Sequence, residues 1–271
     1  MFQDETLLYI CQNFDFDMLI DTHSHIYSDD FLHDLDDVVQ SAYDNNIKKI
    51  ILPNINSGTV KRLLDLTDSY PHLCFPLMGL HPTSVAADYK EELAAVEYWL
   101  EKRKFYGIGE IGIDLYWDKT YIKEQSEAFR QQIKIAKSKN IPIVIHLRNS
   151  FKEVYKVVKE EQDGTLSGIF HCFTGSEKEA KKIIDLGFKL GIGGVVTFKN
   201  AGLDQVIGKI GLEHLVLESD APYLAPVPKR GRRNESSYLV YVARKVAEIY
   251  DIPVEKVAEI TTINARNVFG I

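Results

Sequence analysis

Three cysteines, Cys11, Cys74 and Cys172, are spread over 271 residues with no Cys-x-x-Cys pair. They are too few and too scattered for a disulfide framework, and a reducing compartment is expected. No stretch reaches the roughly 18 consecutive apolar residues of a membrane span. The start, MFQDETLLYICQNFDFDMLID, lacks the basic segment followed by a continuous apolar one that marks a secretory signal. Positive charge is also short: 32 Lys and Arg stand against 39 Asp and Glu, a formal net charge of −7. That balance excludes a broad basic face coating a long polyanion, although it leaves room for a small phosphate pocket. Low-complexity tracts, linkers and internal repeats are lacking too, which removes the usual signs of a second domain. A cytoplasmic protein with no membrane attachment and no evident stable protein partner is therefore expected.

What is present is a composition able to bury a large core, 45% hydrophobic and 26% charged, unlike that of a disordered chain. The length suits one α/β domain over 1–271, with 1–17 as an N-terminal extension. Eight short runs rich in β-branched residues recur, near 18–21, 49–53, 74–79, 106–110, 142–146, 168–171, 189–193 and 215–219. Helical periodicity fills the gaps, at 34–45, 59–69, 91–102, 122–139, 150–160, 177–186 and 203–210, and two more helices follow at 236–250 and 254–268. Gly187 stands where a helix C-cap belongs, and Ser176 with Glu179 makes a capping box. Alternation of this kind predicts a parallel sheet covered by helices, and eight strands predict a TIM (β/α)8 barrel.

Side chains able to bind a metal fall at the C-terminal ends of five of those runs. His23 and His25 follow the first, Glu110 ends the fourth, His146 the fifth and His171 the sixth, and Asp220 follows the eighth. In a barrel these ends converge on the face where active sites form. Residues two apart on a strand point the same way, so His23 and His25 would grip one ion from one side. Alternating histidines occur on ordinary strands, a lone His146 or His171 in an apolar run is commonly a core residue, and Glu110 or Asp220 alone would be a cap or a surface ion pair. Five coincidences with strand ends are not explained in that way. Four imidazoles and two carboxylates suit zinc or manganese, or magnesium with waters completing its shell. Six ligands suggest two ions, with Glu110 placed to bridge them. His33, His72 and His214 lie in polar segments or at a strand start and are expected at the surface.

The strings DTHSHIY at 21–27, GLHPT at 79–83, GEIGIDLYW at 109–117, PIVIHLR at 142–148, FHCFTGS at 170–176 and LESDAPYLAP at 217–226 together resemble the TatD family of metal-dependent deoxyribonucleases, within the amidohydrolase-like barrels. The resemblance implies one ion held by His23, His25, Glu110 and Asp220, and a second shared through Glu110 with His146 and His171. It places His81 near the substrate rather than among the principal ligands. Arg148 follows a ligand strand, where its planar fork would meet a phosphate. Tyr116 and Trp117 would stack on a base, and Arg232, in the run Lys229, Arg230, Arg232, Arg233, would add local positive charge. Glu218 shares the side of Asp220 and would orient either Asp220 or a histidine. The departures are small: Ser24 stands where the family often has Cys or Ala, Leu115-Tyr116-Trp117 is bulky, and the segment before Asp21 is long.

The expected function is hydrolysis of DNA phosphodiesters at single-stranded ends by a metal-activated water, with Asp220 accepting the proton and Arg148 helping to stabilise charge. Two other readings stay open on sequence. One is a barrel hydrolase of the same metal architecture acting on an ester or amide, such as a lactone or an aminoacyl ester. The other is a non-catalytic barrel that binds nucleic acid.

Overall fold

The computed structural model describes residues 18–271; the expected extension 1–17, with Cys11, lies outside them. Among the described residues are eight parallel strands: β1 Leu19–Asp21, β2 Ile47–Leu52, β3 Cys74–Pro76, β4 Ile108–Asp114, β5 Ile143–Arg148, β6 Gly168–Phe170, β7 Lys189–Ile192 and β8 Leu215–Leu217. Pairing runs β1-β2-β3 and β4-β5-β6-β7-β8. Two seams close the ring. At one, Met78 bridges Ile108, with Met78 N–H donating to the Gly107 carbonyl at 3.2 Å and Gly109 N–H to that of Met78 at 3.0 Å. At the other, Ser24 bridges Ala221 and Thr22 N–H donates to the Leu217 carbonyl at 3.0 Å. The fold is the expected TIM barrel.

Helices cover the outside: α1 Leu35–Asp44, α2 Val60–Ser69, α3 Tyr89–Lys102, α4 Ile122–Lys139, α5 Phe151–Glu161, α6 Glu177–Asp185, α7 Leu203–Ile207, α8 Leu239–Tyr250 and α9 Val254–Phe269. The capping box at Ser176 and Glu179 is formed, and Gly187 sits just past α6 with φ +85, a left-handed turn that glycine adopts without a Cβ penalty. The stretch 236–238, expected as the first turn of a longer helix, is a separate 3-10 turn ahead of α8.

Strand alternation sorts the core into two layers. Ile20, Ile51, Phe75, Val144, Ile169 and Val216 form the barrel interior, closed at one end by Ala265 and Phe269 of α9. Their strand neighbours, such as Leu19, Leu52, Ile145, Phe170, Leu190 and Leu217, pack outward against the helices. Each fully buried aliphatic side chain contributes about 1.5–3 kcal/mol, so this period-2 sorting fixes every strand's register. No helix among the described residues is long and apolar enough to cross a membrane.

One irregularity aims a functional side chain. Ile108 pairs with Ile143 and Ile111 with Ile145, so three residues of β4 span two of β5. Ile108, Ile111 and Ile113 all face the outer layer. Without that bulge Glu110 would share the outward face of Ile108; with it, Glu110 turns inward together with Gly112 and Asp114. Gly112 has to be glycine, because a Cβ there would lie 2.0 Å from the His146 carbonyl oxygen.

Candidate metal centre

Alternation continues past the apolar interior layer. His146 follows Val144, His171 follows Ile169 and Glu218 follows Val216 on the inward face, so polar side chains cap the barrel at the carboxyl ends of its strands. The seam beside β8 is braced by Asp21: Ser219 Oγ donates to its Oδ2 at 2.6 Å and Ser219 N–H to its Oδ1 at 2.8 Å. Burial pushes the Asp21 carboxyl up to about 7. Past the brace the chain turns at Asp220, φ +57, with its N–H donating to the His23 carbonyl at 2.9 Å.

Five imidazoles surround Glu110. Its Oε1 lies 2.7 Å from His146 Nδ1, 3.0 Å from His171 Nε2 and 3.4 Å from His81 Nε2. Its Oε2 lies 3.1 Å from His23 Nε2 and 3.4 Å from His25 Nε2, and Asp220 Oδ1 is 3.8 Å from His23 Nε2. Burial acts to raise Glu110, but His171, His81 and His23 outweigh it and hold the carboxyl well below its ordinary range. Asp220 goes the other way, raised by burial to about 6 against the pull of His171 and His25.

The donor set fits cations. Nε2 of His23 and Nε2 of His25 face each other at 3.1 Å, and the buried Nδ1 atoms of His23 and His171 have no hydrogen-bond partner. Three groups each bring ligand atoms within 4.8 Å of one another: His23, His25 and Asp220; His23, Glu110 and His171; and His81, Glu110 and His146. Nitrogen with carboxylate oxygen is the donor chemistry of zinc and manganese.

Tautomers are set from outside the cluster. Tyr27 O–H donates to the Pro53 carbonyl at 2.5 Å, so its oxygen is left to accept from His25 Nδ1, 3.1 Å away. That leaves His25 Nε2 bare toward the centre. Asp114, buried, accepts from His146 Nε2 at 3.0 Å and from the amides of Tyr116 and Trp117. Those bonds outweigh burial and hold its carboxyl down at about 2. Sequence reasoning passed over Asp114. The signal was its position four residues past Glu110 on one strand face.

All six expected ligands meet in this cluster, and His81 joins them, with Nδ1 accepting the Thr83 N–H at 3.1 Å. A cavity of about 710 Å3 opens above them, lined also by Asp114, Trp117, Arg148, Cys172 and Tyr223. Arg148 lies 3.9 Å over the Tyr116 ring and 5.4 Å over that of Trp117, and Trp117 is 66% exposed. The basic loop is less involved. Arg232 is exposed and does not line that cavity, and Arg233 forks both oxygens of Asp34 at 2.8 and 2.6 Å. Arg230 stacks on Phe198 at 3.8 Å. His33 and His72 are exposed and His214 is half-buried.

Comparison with known proteins agrees with this geometry. Residues 20–270 match the family model described as TatD related DNase. YabD of Bacillus subtilis, named an uncharacterized metal-dependent hydrolase, is 38% identical over 255 residues, covering 94% of this chain and all of its own. A protein of Salmonella typhimurium named the 3'-5' ssDNA/RNA exonuclease TatD is 31% identical over 259 residues, 93% of this chain and 99% of its own. The crystal structure of YjjV, a TatD homologue from Escherichia coli K12, superposes with a TM-score of 0.87 at 28% identity, covering 93% of this chain and 98% of that one. With its barrel, its clustered histidines and these relatives, the chain belongs to the TatD related DNase family and is a metal-dependent hydrolase.

Proposed function

We propose that the protein is an exonuclease that removes nucleotides from single-stranded DNA ends, using two divalent ions. The observation that carries this reading is Glu110 at the centre of five imidazoles, at the floor of a cavity whose lip bears a guanidinium and an exposed indole. His23, His25, Asp220 and Glu110 would hold one ion, and Glu110, His146 and His171 the second. When bound, the ions make water more acidic and stabilise the negative charge that develops on the phosphoryl oxygens.

The chain's own groups divide the remaining work. Asp220, beside His23 and His25 at the cavity floor, takes the proton of the attacking water. Arg148 forks the phosphate, and Trp117 stacks against a base without regard to its identity. His81, held through Nδ1 by Thr83, keeps Nε2 against Glu110 Oε1 at 3.4 Å, at the wall of the cavity where the substrate would sit. The relative named as a 3'-5' ssDNA/RNA exonuclease supports a single-stranded end as the substrate.

The test uses end-labelled single-stranded DNA, duplex DNA, RNA, an aryl ester and aminoacyl-tRNA, each with magnesium, manganese and zinc. Stepwise shortening of the single strand, abolished in Glu110→Ala and Asp220→Ala proteins that still fold, is expected. Turnover of the esters alone would overturn the reading, as would DNA binding without cleavage under any metal.

A further inference from the structure

Glu218 carries an unusual burden for a charged residue. It is fully buried on the inward face of the strand that leads to Asp220, yet it is no member of the three groups of ligand atoms. Its Oε1 accepts the Cys172 N–H at 2.5 Å and lies 3.3 Å from His171 Nδ1. The opposite nitrogen of that ring, Nε2, is the one 3.0 Å from Glu110. His171 Nδ1 is within ion-pair distance of Glu218 and has no other hydrogen-bond partner.

Room for this carboxylate comes from the neighbouring strand. On β7, Gly191 faces inward between the outward Leu190 and Ile192. A Cβ at Gly191 would lie 2.1 Å from Glu218 Oε2 and 3.1 Å from the His171 Cα. The side chain missing from β7 is thus the space that Glu218 fills, and Glu218 Oε2 finds no other partner there. An unpaired buried carboxylate oxygen is expensive, which requires the group to be held there by what it does through Oε1.

We infer that Glu218 is a positioning residue, whose carboxylate fixes the His171 ring through Nδ1 so that Nε2 is presented to the second ion, and that Gly191 is the vacancy that admits it. A carboxylate behind a ligating imidazole sets its tautomer and orientation and raises its basicity. Glu218 stands behind His171 from β8 at 3.3 Å, the place that Asp114 takes behind His146 from β4, where the hydrogen bond is formed. The sequence left Asp220 and a histidine open as the group Glu218 serves; the distances select the histidine. This inference rests on the proposed assignment of His171 as a ligand.

The experiment measures manganese and zinc affinity and stoichiometry by titration calorimetry on metal-free protein, with apo-state thermal unfolding as the check on structure. Glu218→Gln keeps the volume and an oxygen for the Cys172 amide. It is expected to weaken one of the two ions about 10- to 100-fold, leave the other unchanged, and lower kcat with little change in KM, while the apo unfolding temperature stays near wild type. Glu218→Asp retains the charge and is expected to restore part of the affinity; if Glu218→Gln does not fold, Glu218→Asp with its retracted carboxylate is held to the same criterion of selective metal weakening. Gly191→Ala, which drives Glu218 away, should repeat the metal defect. Wild-type affinity for both ions in Glu218→Gln would overturn the inference. His171→Ala separates the two levels: if that variant still binds both ions as wild type does, the ligand assignment itself fails.

Discussion

Asp114 Oδ2 lies 3.0 Å from His146 Nε2, so the same strand that supplies Glu110 also holds the far side of a ring that Glu110 touches at 2.7 Å. Asp114→Asn keeps an oxygen for the Tyr116 and Trp117 amides, now bonded to Asp114 Oδ1, and removes only the charged acceptor behind His146. Metal affinity is expected to drop about 10- to 100-fold, with the unfolding temperature of the apo protein nearly unchanged. Calorimetric titration decides it, and undiminished affinity would remove Asp114 from the positioning role.

Converging nitrogens and carboxylates are arranged to bind cations in the folded state. A ligand that binds only the folded state stabilises by about 2.7 kcal/mol at a hundredfold excess over Kd. For a domain of this size, 1 kcal/mol shifts Tm by about 2–4 °C, so each ion should raise Tm by roughly 5–10 °C. Differential scanning with manganese or zinc, then with excess chelator, checks this. A Tm indifferent to both would mean that the cluster binds no ion.

Trp117, two-thirds exposed at the cavity lip, should act on binding rather than on chemistry. Base stacking is worth about 1–3 kcal/mol, so Trp117→Ala is expected to raise KM for single-stranded DNA about 5- to 150-fold at similar kcat. Turnover of a small alkyl phosphodiester, which has no aromatic ring to stack, should be spared. Arg148→Ala should also shallow the dependence of KM on salt by about one phosphate contact, whereas Arg232→Ala, outside the cavity lining, should leave that slope alone. A Trp117→Ala enzyme with wild-type KM would show that the indole only packs the lip.

The clustered side chains were legible because strand ends repeat: His146, His171 and Asp220 each follow an apolar run, and eight such runs predict a closed ring. The β4 bulge was not legible. A strand read as ending at Glu110 hides the three-for-two register between Ile108 and Ile111, and that register decides which way Glu110 points. Asp114 was passed over for the same reason, since it sits beyond the supposed strand end. Gly191 reads in sequence as an ordinary strand glycine; only the neighbouring Glu218 oxygen explains it. The basic loop misled in the opposite sense. Composition shows four cations together, while the fold gives Arg233 to Asp34 and Arg230 to Phe198.

The two described cysteines differ in surroundings, and Cys74 offers a probe of the fold that is independent of the metal. It lies on β3, almost fully buried, and burial pushes its thiol up to about 12. Thiolate is the species that reacts with alkylating reagents. At pH 8 a thiol near 9 is about one-tenth thiolate, and one near 12 about a ten-thousandth, a thousandfold difference before shielding is counted. Raising the pH to 9 should therefore leave Cys74 unlabelled by iodoacetamide in the native protein, and denaturant should expose it in step with loss of the barrel. Peptide mass spectrometry after timed labelling reads this out. Rapid native-state modification of Cys74 would show that β3 opens on its own, which a strand sealed between β2 and the Met78–Ile108 seam should not do.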